Sequence, residues 1–60
     1  MDDQDDGDLI KAAAEGFIDR LGRDAVDELN AFAEIATGIG DEETAETWRE
    51  IARAAKALIN

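Results

Sequence analysis

Between Gly40 and Asn60 the chain carries apolar or small side chains on one face, turn after turn: Ala45, Trp48, Ile51, Ala52, Ala55, Leu58 and Ile59. Steps of three and four residues suit a helix of about 3.6 residues per turn and do not suit a strand. Asp41 stands where an N-cap is needed, with Glu42 and Glu43 in the turn that follows. Arg49, Arg53 and Lys56 come in the later turns, so the order of charge complements the helix dipole. Glu46 can pair with Arg49, and Glu50 with Arg53, at three-residue spacing. A helix is therefore predicted after Asp41, and the rest of the chain must pack against its stripe.

Upstream, Ile10, Ala14, Phe17 and Leu21 recur at helical spacing, widened by Ala13 and Ile18. Asp8 is the expected N-cap of this first helix. Gly16 falls inside it, where glycine costs stability unless another helix uses the space. Gly22 poses a choice. The apolar period runs through it to Ile39, so one long helix is possible. Arg20 ahead of Gly22 and Asp24 behind it instead read as a helix end, a left-handed glycine and a new cap. The break is favoured. A second helix then covers residues 25–37, centred on Ala25, Leu29, Phe32, Ala33 and Ala36, with Val26 and Ile39 at the edges and Ile35 off the centre. That apolar arc is broad enough for two neighbours. Gly38 and Gly40 end it, with Ile39 between them as an apolar plug.

Proline is absent while Ala, Glu, Leu and Arg abound, which favours an all-α chain. The expected fold is a small three-helix bundle. The alternative is a long-helix/short-helix hairpin that dimerises. Residues 8–60 would form the single domain, and residues 1–7 an acidic disordered tail. Sixty residues leave a thin core, a first reason to expect self-association.

The formal net charge is −10. Met1–Asp8 holds five acids and no base, Leu9–Ile39 six acids and three bases, and Gly40–Asn60 five acids and three bases, so half of the excess lies in the tail. A field of this sign repels phosphate backbones and anionic membranes, arguing against direct nucleic-acid or membrane binding. No apolar run is long enough to span a bilayer and no signal-peptide pattern opens the chain, so a cytoplasmic location is expected.

Chemistry has little to work with. There is no Cys, His, Ser or Tyr, which removes the usual nucleophiles and bases. Carboxylate pairs such as Asp24 with Asp27 or Glu28 arise by chance on so acidic a surface. Asp2, Gln4, Asp6, Gly7 and Asp8 loosely follow a calcium loop, but Ala13 occupies the position that needs a bidentate Glu. No catalytic residue, metal or cofactor is expected.

Leu21-Gly22-Arg23-Asp24-Ala25, then Gly40-Asp41, then Thr47-Trp48-Arg49-Glu50-Ile51 together resemble a group of short alphaproteobacterial proteins of unknown function. The resemblance covers most of 18–58, with Leu21 standing where that pattern has His. It implies three helices and a bacterial source. It carries no activity and no functional residue.

What remains is an interaction role. Trp48 sits mid-stripe and reads first as core, second as an interface anchor. Arg49, Arg53 and Lys56 form a basic ridge that either matches the helix end or meets an acidic partner, such as the tail of another copy. The candidate interface residues are Phe32, Ile35, Ile39, Trp48, Arg49, Arg53 and Lys56. The expected function is that of a self-associating protein-binding module, an adaptor or modulator whose partner is a second copy or a protein with a basic or apolar surface. The alternative is an acidic mimic of nucleic acid that blocks a DNA- or RNA-binding protein.

Overall fold

The structure, a computed structural model, describes residues 5–60, and side chains from residue 7 onward. It is an all-α three-helix bundle: α1 (Asp5–Leu21), α2 (Asp24–Gly38) and α3 (Glu42–Ile59). Gly22 breaks the long apolar repeat. Its φ of +63° lies in the left-handed region, and its N–H donates to the Ile18 carbonyl at 2.7 Å. That single bond closes the last turn of α1 in the manner of a left-handed helix cap. The one-helix alternative is thereby excluded.

The second break is fuller. Gly40, at φ +85°, donates to the Thr37 carbonyl at 3.0 Å, and Asp41 donates to the Ala36 carbonyl at 2.8 Å. These two bonds are the Schellman pair, and only glycine enters the left-handed corner without a Cβ penalty. Asp41 then caps α3, accepting from the Thr44 N–H at 3.2 Å and from Thr44 Oγ1 at 2.7 Å. The Thr44 hydroxyl, followed by its backbone N–H, holds the Asp41 carboxyl below its ordinary pKa. A pKa lower in the folded state than in the unfolded one makes this contribution complete above the unfolded value. It is lost as pH falls through the folded value. Asp41→Asn is thus expected to melt below the parent chain near neutrality, with the gap closing in acid, as thermal unfolding followed by circular dichroism would read.

Two expected caps move. Helix α1 starts at Asp5, so Asp8 lies inside it. Of the expected acidic tail, Met1–Gln4 fall outside the described residues, as do two positions of the calcium-loop reading. A helix from Asp5 through Ala13 has no room for the wrapped loop that calcium requires. At α2 the cap position falls on Arg23, with φ −64° and ψ −24° and no capping side-chain bond, and Asp24 is already helical. A two-residue link leaves no space for the extended backbone a side-chain cap needs.

Helices α2 and α3 pack most extensively, and α1 lies across the pair, chiefly against α3. Ala14 joins Leu29 of α2 and Ile51, Ala52 and Ala55 of α3 in one buried cluster. Principal extents of 32 × 27 × 16 Å leave room for two helix layers and no third. Each helix consequently keeps an open side. The buried set is mostly alanine, and among the described residues Leu29 is the one large side chain below 2 % exposure.

Gly16 is exposed, and a Cβ built there meets nothing within 4 Å. The close helix approach that glycine could have served is therefore not made within the chain. Gly16→Ala is expected to stabilise the protein by about 0.5–1 kcal/mol. Urea unfolding checks this, since the midpoint should rise with an unchanged slope.

Candidate interaction surfaces

Three features of the surface rise above ordinary helix exterior. The first is aromatic. Phe32 and Trp48 lie with ring centroids 4.9 Å apart, and Phe17 meets both edge-on at 6.3 and 6.0 Å. The cluster gathers every aromatic residue of the chain from all three helices, and each ring stays half-buried. Such pairs add roughly 0.5–1.5 kcal/mol beyond area burial, so Trp48 serves the fold as well as the surface. Phe17 had no place in the expected interface, because nothing in its spacing says which neighbour it meets.

From this cluster an apolar row runs out along α2. Ile35 follows Phe32 by one turn and is 62 % exposed, and Ile39 follows Ile35 and is 75 % exposed. Ile39 is not a plug. Its N–H still bonds the Ile35 carbonyl at 3.1 Å, so the turn carries its side chain outward, past the end of the packed layer. Leu21 and Leu58, expected on buried stripes, are also 40 % and 43 % exposed.

The second feature is a basic furrow along the α2–α3 seam. Two adjoining hollows of about 270 and 330 Å³ share Val26, Asn30 and Lys56. Arg49, Arg53 and Lys56, one face in the sequence, line it together, and Arg23 joins them from the link ahead of α2. Arg49 is partly committed: its guanidinium donates to Thr37 Oγ1 at 2.9 Å and to Glu46 at 3.4 Å, tying α3 to the end of α2. Its neighbour Trp48 points instead to the aromatic cluster, so the two belong to different surfaces.

The third is a groove of about 440 Å³ between α1 and α3, where Ile10, Ala54, Ala57 and Leu58 are lined up beside Lys11 and Glu50. The sequence offered no signal for it, because it depends on where α1 crosses α3. Among the described residues no three His, Cys, Asp or Glu side chains are grouped to hold a metal ion, and no helix is long and apolar enough to cross a membrane. Comparison with protein-family models, with curated proteins and with solved structures found no match to this chain.

Proposed function

We propose that this is a non-enzymatic interaction module of the cytoplasm, which self-associates and acts as an adaptor or modulator by docking on another protein. The observation that carries the reading is the unpartnered row Phe32–Ile35–Ile39 beside Trp48. Large aliphatic side chains at 62 and 75 % exposure contribute little to folding where they stand, and they gain roughly 1–2 kcal/mol each when a partner covers what is open. A half-buried Trp at the root of the row is the kind of anchor that dominates interface energies. The lack of Cys, His, Ser and Tyr supports the absence of catalysis.

The test is affinity capture under high-salt washing with the parent chain and with the double variant Ile35→Gln/Ile39→Gln. Both positions are exposed, so the variant should keep the parent's helicity. The expected result is one or more proteins retained by the parent and lost by the variant. The same set retained by both would remove the row from the interface.

A nucleic-acid mimic has one feature in its favour, the exposed strip Asp24, Asp27 and Glu28 on α2. The strip ends after three carboxylates over about 6 Å of helix axis, whereas a duplex carries one charge per about 1.7 Å along its whole length. Docking through the apolar row is the better supported of the two.

A further inference from the structure

Four of the six basic residues of a chain with formal charge −10 gather on one seam: Arg23, Arg49, Arg53 and Lys56 around Val26 and Asn30. Matching the dipole of α3 accounts for Arg53 and Lys56 at most. It does not account for Arg23, which enters the same furrow from the start of α2. On the outer side of α2, Asp24, Asp27 and Glu28 flank Ala31 in a shallow hollow. By helical geometry that strip is turned about 130° from the side of α2 that carries Val26 and Asn30. One helix thus presents a basic furrow on one flank and an acidic strip on the other.

Neighbouring flanks of opposite charge are what a two-fold dimer requires. In a symmetric pair the same patch meets itself, so attraction arises only if the patch carries both members of each contact. Two copies set side by side with their α2 helices parallel, about a two-fold axis running along them, would place each strip over the other's furrow. Ala31, the small residue within the strip, lets the backbones come close over the apolar floor of Val26 and Ala52. We propose that the furrow receives the acidic α2 strip of a second copy of this chain, reciprocally. This deepens the self-association proposed above and rests on it.

Exposed ion pairs are individually weak, so the dimer should be weak and strongly dependent on salt. The direction of that dependence is diagnostic. General repulsion between two chains of this charge relaxes as salt rises and would tighten association, whereas strip-to-furrow pairing loosens.

Sedimentation equilibrium on the full chain is the measurement, with circular dichroism to establish that each variant is folded. The parent is expected to dimerise with a Kd that rises at least about tenfold between ~50 and ~500 mM salt. Arg53→Glu/Lys56→Glu should be monomeric, and so should Asp27→Lys/Glu28→Lys. An equimolar mixture of the two variants should dimerise again, because each reversed strip then faces a reversed furrow. A dimer indifferent to salt and to both variants would overturn the pairing while leaving self-association standing. A parent that stays monomeric at every concentration would overturn both. Variants that lose the dimer and fail to recover it on mixing would overturn the assignment of strip to furrow.

Discussion

Leu29→Ala is expected to remove more than half of the chain's stability. Leu29 is fully buried at the centre of α2 and is, among the described residues, the one large side chain that no solvent reaches. It belongs to one buried cluster with Ala14 of α1 and Ile51, Ala52 and Ala55 of α3, so its removal opens a void in a core that all three helices build. Truncations of this kind cost about 2–5 kcal/mol. A domain of this length holds about 3–9 kcal/mol in total, at the usual ~0.05–0.15 kcal/mol per residue. The loss therefore consumes most of the stability. Urea unfolding followed by far-UV circular dichroism should show a sharply lower midpoint or no native baseline. Leu9→Ala is the control: Leu9 is 67 % exposed, and the change should stay within about 0.5 kcal/mol. Equal midpoints for the two variants would mean that the core is not centred on Leu29.

Ala14→Leu should destabilise in the opposite sense, by excess. Ala14 has no exposed surface and sits where α1 crosses the α2–α3 pair. A leucine there can be housed only if the helices move apart, which typically costs about 1–3 kcal/mol. Helix propensity predicts nearly no change, since Ala and Leu are both strong helix formers. The sign of the result therefore separates packing from propensity. Hydrogen exchange gives the finer reading: amides of α1 should lose protection before those of α2 and α3, because α1 is held mainly through this crossing. The same substitution at Ala12, exposed on the same helix, should leave both measurements almost unchanged. A stable Ala14→Leu chain with α1 still protected would contradict the close approach at the crossing.

What could be read from the sequence follows the range of the forces involved. The break at Gly22, the turn at Gly40 and the Asp41 cap each depend on hydrogen bonds spanning five residues or fewer, so local residue types decide them. Caps were also where local reading failed, at Asp8 and Asp24, because a helix begins early when the link before it is short or acidic residues suit its first turn. The inward faces were legible at helix centres, where Ala14, Leu29 and Ile51 are buried from any direction in which neighbours arrive.

At helix ends they were not. Leu21, Ile39 and Leu58 continue their apolar stripes yet remain exposed, while Ala25, near the start of α2, is covered completely. The same limit applies to the candidate surfaces. Phe32 and Trp48 do adjoin, and Arg49, Arg53 and Lys56 do share a face, but Phe17 and Arg23 join them through contacts across helices that no spacing announces. By itself, then, the sequence determined three helices, where they stop and which side of each turns inward, since periodicity and capping act within a turn or two. Only the tertiary structure decided how far each helix is covered. Coverage depends on where α1 crosses the other two, and a crossing point is a property of three packed surfaces together.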